Sequence, residues 1–161
     1  MKKIMIALAF AGVLALAGCE NEKTAQSDKL NIIFETDIGN DVDDAMALDM
    51  MYKYLDQDKI NVLAVTINKD GLAPAEFMDI MNTWYGYPDI PVGIIRNGAD
   101  CETDAVNYAK AVVNLKKEDG TPMFARSHGD YDKLPDAHVL YRKILSEMPD
   151  NSVTIVSVGF S

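Results

Sequence analysis

The sequence predicts an α/β fold built on an open, mostly parallel sheet with helices on both faces, and three observations lead to it. Short apolar runs rich in β-formers recur at 30–36, 60–67, 92–95 and 152–160. Segments with helical apolar spacing lie between them, at 41–55, 74–87, 103–115 and 136–148. Gly71, Pro88, Pro91, Gly120, Pro122, Gly129 and Pro135 fall at the joints between segments. Strict alternation of strand and helix makes consecutive strands parallel, because a parallel crossover needs a connection about as long as a helix. Such a sheet must be covered on both faces.

The elements justify themselves in chain order. LNIIFET is a buried-type strand, and DVDDAMALDMMYKYL places Val42, Ala45, Met46, Leu48, Met50 and Leu55 at helical spacing. Met46, Met50 and Met51 are expected as core filler under the sheet, since an unbranched thioether packs well and ligates metals weakly. INVLAVTI is the second strand. PAEFMDIMNTWYGY is the second helix, with Pro74 in its first turn, where a missing N–H costs nothing, and GYPDIP as its stop. VGII is the third strand, and TDAVNYAKAVVNL the third helix, capped by Thr103 or Asp104. A polar stretch with Gly120, Pro122, Gly129 and Pro135 precedes the helix DAHVLYRKILSEM and the strand SVTIVSVGF. Trp84 and Tyr85 are expected to pack in the core or at its rim, and His138 to be structural.

Residues 1–18 are expected to stand apart from this domain. Lys2 and Lys3 precede the apolar run IMIALAFAGVLAL, and LAGC follows at once, a pattern that resembles a bacterial lipoprotein signal. That resemblance implies cleavage before Cys19 and lipidation of it. Residues 19–29 then form a flexible tether, and the chain is placed in the bacterial cell envelope, at the membrane through its lipid only. With Cys19 lipidated, Cys101 has no partner for a disulfide, and stability must come from a core. Residues 30–161 amount to one domain. The formal charge is −10, and loss of the two signal lysines takes it to −12. Without a basic stripe this balance argues against nucleic acid as a partner and leaves room for a cation.

The chemistry concentrates where the first strand hands over to the first helix. FETDIGNDVDDAMAL holds Glu35, Asp37, Asp41, Asp43 and Asp44 within one turn, and ligands of parallel sheets sit beyond the carboxyl ends of the strands. Helix capping accounts for one or two of these carboxylates. Crowding the rest raises their pKa values unless something positive compensates. A hard divalent cation with oxygen ligands would do so, and Ca2+ suits an all-protein carboxylate cage better than Mg2+. An EF-hand loop starting at Asp37 fails, because its sixth position is Val42 instead of Gly and its twelfth is Leu48 instead of Glu.

ETDIGNDVDDAMAL resembles the N-terminal signature of the inosine-uridine-preferring nucleoside hydrolase family, Asp-x-Asp-Pro-Gly-x-Asp-Asp followed by Ala and alternating aliphatics. VLAVTINKDG, YGYPDIPVGI and VTIVSVGFS resemble later segments of that family in the same order, so the likeness runs through most of 30–161. Glu35 stands for the first Asp, Ile38 for Pro, and two extra residues separate Gly39 from Asp43 and Asp44, as in a divergent secreted branch.

The resemblance implies a Rossmann-like strand order and Ca2+-assisted hydrolysis of the N-glycosidic bond of a ribonucleoside, giving free base and ribose. By motif position it gives Asp37 as calcium ligand and acceptor of the water proton, Asp44 as second ligand, and the Val158 carbonyl as a third. Asp43 and Asn68 would contact the ribose, and His128 faces either the leaving base or solvent. Family chains are about twice as long, so residues 30–161 are expected to be the N-terminal part of a truncated domain, inactive alone. The longer form is a possible homo-oligomer. The alternatives are a non-catalytic lipoprotein that binds a nucleoside or sugar, and an inactive fragment.

Overall fold

The computed structural model describes residues 29–100 and 106–160. The leader 1–18, Cys19, the tether up to residue 28, Cys101, Thr103 and Asp104 lie outside the described residues. Among the described residues no helix is long and apolar enough to cross a membrane.

Four strands, β1 (Leu30–Thr36), β2 (Ile60–Asp70), β3 (Val92–Asp100) and β4 (Val153–Ser157), form one all-parallel sheet in the order β3-β2-β1-β4. Among the described residues the helices are α1 (Asp43–Asp56), α2 (Leu72–Tyr85), α3 (Tyr108–Val113) and α4 (Ala137–Glu147), with a 3-10 turn at Tyr131–Lys133. This is the predicted α/β architecture, with β1 in the interior of the sheet. β2 and β3 run further than their apolar cores suggest, and pairing slips between Ile67 and Lys69, so the carboxyl end of the sheet is irregular.

Alternation along the strands sorts the helices onto two faces. Phe34 of β1 and Val65 and Ile67 of β2 join Leu48, Met51 and Tyr52 of α1 and Phe77 and Met78 of α2 in one buried cluster. The intervening Glu35 and Thr66 hydrogen-bond the Tyr141 hydroxyl of α4. So α1 and α2 share one face and α4 takes the other. The seam between α1 and α2 is aromatic: Tyr52, fully buried, stacks on Tyr85 at 4.2 Å between ring centroids and donates its hydroxyl to Asn82 Oδ1 at 2.7 Å. That hydrogen bond is what makes a phenol tolerable in the core.

Several expectations change. α1 buries Asp44, Leu48, Met51 and Tyr52, while Val42, Met46 and Met50 are 61, 64 and 58% exposed. Only Met51 of the three methionines is core. The stripe that meets the sheet runs one flank away from the one the methionines suggest, and Met50 instead borders an apolar groove with Phe34 and Val156. α3 is a short helix capped by Asn107, whose Oδ1 accepts from the Lys110 N–H at 2.8 Å, in place of Thr103 or Asp104. The last strand ends at Ser157, short of Phe160. Trp84 is a rim residue, 72% exposed and edge-on to Phe124.

Candidate functional site

The turn after β1 is built around Thr36, whose side chain is wholly buried. Its hydroxyl donates to Asp44 Oδ1 at 2.5 Å and accepts from the Ile38 N–H at 3.1 Å. The second bond needs a backbone N–H, which Ile38 has and a proline would lack. α1 then starts with Asp43 and Asp44 in its first turn, but no side chain caps it: Val42 holds the cap position, and Asp41 accepts from the adjacent Val42 N–H at 2.7 Å. Capping therefore explains none of the four aspartates.

Asp44 is the anomaly. It is 3% exposed and accepts one hydrogen bond, and burial, together with repulsion from Asp37 and Asp43, pushes its pKa from 3.8 up to about 6 against the opposing pull of Thr36. A carboxyl at a helix N-terminus ordinarily shifts the other way. Here desolvation and like charge win over the helix dipole. Tyr108, at the start of α3, feels the same field: burial and Asp44, Asp43 and Asp37 hold its phenol well above the usual tyrosine range.

The carboxyl end of the sheet opens into two cavities, divided by the strand alternation. On the α1 side, a cavity of about 400 Å³ is lined by Asp37, Asn40, Asp41, Asp43, Asp44, Lys69 and Val158, with Gly159 and Phe160. On the α4 side, one of about 520 Å³ is lined by Glu35, Thr66, Asn68, Arg96, Asp136, His138 and Tyr141 among others. Glu35 and Asn68 stand between them. Asn68 Nδ2 donates to Glu35 Oε1 at 2.9 Å and to the Phe160 carbonyl at 2.8 Å, and Tyr141 donates to Glu35 Oε2 at 3.1 Å. Asn68 Oδ1 is buried without a hydrogen-bond partner among the described residues. Gly159 closes the divide: a Cβ there would fall 2.6 Å from Asn68 Oδ1 and 2.7 Å from the Asp37 nitrogen.

Of the residues singled out from sequence, Asp37, Asp43, Asp44 and Val158 line one cavity and Asn68 stands at its border with the other. His128 lines neither. Its backbone N–H and Nδ1 bond Asp79 of α2 at 2.9 and 3.2 Å, and Ser127 and Tyr131 converge on the same carboxylate. Buried Asp79 is thereby a fastening point for the 126–131 segment. Although burial alone would raise its pKa, these donors hold it down at about 2. His138, expected to be structural, is exposed in the first turn of α4 and lines the larger cavity. Lys69, Tyr141, Arg96 and Asn40 carried no sequence signal. Period-2 alternation of β2 could have paired Asn68 and Lys69 with opposite faces, but not with these partners.

Ca2+ is the cofactor the motif implies. Among the described residues no three His, Cys, Asp or Glu side chains gather in metal-ligating geometry. The implied set is two carboxylates and a carbonyl, all hard oxygens of the kind Ca2+ takes, and the burial and like-charge repulsion that raise the Asp44 pKa are costs a cation would offset, so the donor chemistry fits the group. The arrangement defines a Rossmann-like α/β domain with two polar cavities beyond the strand ends, an acidic one and a mixed one. Compared with protein-family models, with curated proteins and with solved structures, the chain matches none.

Proposed function

We propose that this domain carries the acidic, cation-holding part of a site that hydrolyses the N-glycosidic bond of a ribonucleoside. The observation that carries the reading is Asp44: a carboxyl 3% exposed, crowded by Asp37 and Asp43 in the wall of one cavity at the strand ends, is a costly group that a bound cation would compensate. Asp37, Asp44 and the Val158 carbonyl would hold Ca2+. The ion, when bound, supplies a lowered pKa for an attacking water and an anchor for vicinal hydroxyls.

The remaining chemistry belongs to the chain. Asp37 takes the proton of the water, as a carboxylate within the same cavity can. Asp43, exposed at the cavity mouth, accepts from a ribose hydroxyl, and Asn68, at the border of the two cavities, contacts the ribose. As the glycosidic bond breaks, positive charge develops on the sugar, and the aspartate wall stabilises it electrostatically. The mixed cavity beyond Glu35 receives the departing base.

A second reading, binding of a nucleoside or sugar without turnover, is favoured by the ligand count. Ca2+ takes about 6–8 oxygens, and the described residues offer three by this assignment. Calorimetry with Ca2+, followed by assay of base and reducing-sugar release from inosine and uridine, separates the two. Release abolished by chelation and by Asp37→Ala supports hydrolysis; saturable Ca2+ and ribose binding without release supports the second reading. Absence of Ca2+ binding refutes the cation site itself.

A further inference from the structure

The two poles of the sheet are unlike. Both polar cavities lie beyond the carboxyl ends of the strands, and the chain enters the domain at the opposite, amino pole. Leu30 opens β1 there, exposed, and its N–H donates to the Lys59 carbonyl at 3.2 Å, just before β2. α2 runs antiparallel to the strands it connects and so ends at this same pole, where Tyr87, just beyond the helix, donates to Asp56 Oδ1 at the end of α1 at 2.6 Å. In the last turn of α2, Tyr85 stacks inward on Tyr52 while Trp84 turns out to solvent. Trp84 is the single tryptophan of the chain. Its ring lies edge-on to Phe124 at 6.2 Å, which brings the segment after α3 to the same pole. That segment is a tight antiparallel loop: Lys116 pairs with Pro122, the Met123 N–H donates to the Leu115 carbonyl at 2.9 Å, and the Lys117 N–H donates to the Thr121 carbonyl at 2.8 Å. The register sets Leu115 opposite Met123, so their side chains share one face, and both are exposed. Lys116 and Lys117 are matched by Glu118 and Asp119, so the loop carries no local net charge.

We propose that Trp84, Leu115 and Met123 dock on the surface of the lipid bilayer that anchors the chain, seating the amino pole on the membrane and turning both cavities away from it. The inference rests on lipidation of Cys19 and is independent of the chemistry proposed for the cavities. Residues 20–28 separate Cys19 from Lys29, and even fully extended they reach no further than about 35 Å. A patch held that close meets the bilayer at an effective concentration in the millimolar range, so weak intrinsic affinity is enough to keep it seated. The chemistry of the patch suits a membrane surface: an indole has an apolar body and a polar N–H, and belongs at the headgroup level, while leucine and methionine supply apolar area to the acyl boundary. Because the loop charges cancel, docking needs no anionic lipid.

The test uses the purified lipidated protein reconstituted in phosphatidylcholine vesicles, with Trp84 fluorescence as the readout. Phosphatidylcholine brominated in its acyl chains should at least halve the emission, because bromine quenches only an indole that reaches the bilayer. The double variant Leu115→Glu, Met123→Glu keeps the fluorophore and alters only exposed positions. It should float with the vesicles as the parent does, lose most of the bromine quenching, and become severalfold more accessible to acrylamide. Parent protein that floats with the vesicles but is untouched by bromine, or bromine quenching equal in parent and variant, overturns the docking and leaves the anchor standing. Shielding of Trp84 from acrylamide that grows with protein density, without bromine quenching, assigns the patch to a second copy of the chain and likewise overturns the proposal. A parent that does not float with the vesicles refutes the anchor and the docking together.

Discussion

Asp44→Asn should stabilise the metal-free protein while removing its affinity for Ca2+. The substitution keeps the shape and leaves Oδ1 to accept from the Thr36 hydroxyl, so the buried contact at 2.5 Å survives while the charge is lost. The folded-state pKa of Asp44, about 6, lies above the ordinary 3.8, so between these values the folded protein holds a proton that the unfolded chain has released. Stability therefore falls as pH rises through that window and is lower by a constant amount above it. At 1.36 kcal/mol per pH unit the penalty is roughly 3 kcal/mol at pH 7.5. Urea unfolding in chelator at pH 3.5, 5 and 7.5 should show parent and variant nearly equal at the first and the variant ahead by up to about 3 kcal/mol at the last. Adding Ca2+ at a hundred times its Kd should then raise the parent by about 2.7 kcal/mol and the variant by far less. A variant less stable than its parent at pH 7.5, or a difference independent of pH, would refute the account of the acidic turn.

Other substitutions test separate parts of the molecule. Asp79→Asn should cost at least about 2 kcal/mol at pH 7, because a carboxylate held at about 2 contributes stability that is present above 3.8 and lost as pH falls through its folded value; chemical unfolding between pH 2 and 7 should show the gap closing toward acid. Gly159→Ala puts a methyl 2.6 Å from Asn68 Oδ1 and should cost roughly 1–3 kcal/mol and lower ribose affinity, with unchanged ribose binding as the result that breaks the assignment of Asn68. Cys19→Ala should abolish incorporation of a labelled fatty acid in cells, and label retained on the variant would disprove the lipid anchor. Ile155, 49% exposed on the outer strand β4, should promote self-association in the described domain; Ile155→Lys should reduce light scattering at high concentration without lowering the melting temperature by more than a few degrees.

What the sequence determined by itself is what neighbours along the chain determine. β1 was legible to the residue, because a parallel strand in the interior of a sheet is apolar on both faces, and LNIIFET has no competing period. The acidic turn was legible for a similar reason: Asp37, Asp41, Asp43 and Asp44 are separated by a few bonds, so their crowding does not depend on the rest of the fold. The parallel topology followed from alternation and connection length.

Tertiary structure decided everything that depends on which surface meets which. The methionines of α1 fit a helical stripe in the sequence, but the stripe that the sheet selected is Asp44, Leu48, Met51 and Tyr52, because Tyr52 must reach Asn82 on α2 and Asp44 must reach Thr36 on β1. The two histidines needed the fold as well: His128, expected to face a leaving base or solvent, is exposed and lines neither cavity, and His138, expected to be structural, is exposed at the larger one. Only the fold brings Asp79, 49 residues away, under the first, and carries the second to the mouth of the larger cavity at the start of α4. Lys69 is the extreme case: nothing in TINKDG distinguishes a solvated lysine from a buried one, since burial is a property of surfaces such as Asn40 and Phe160 that converge on it from other parts of the chain.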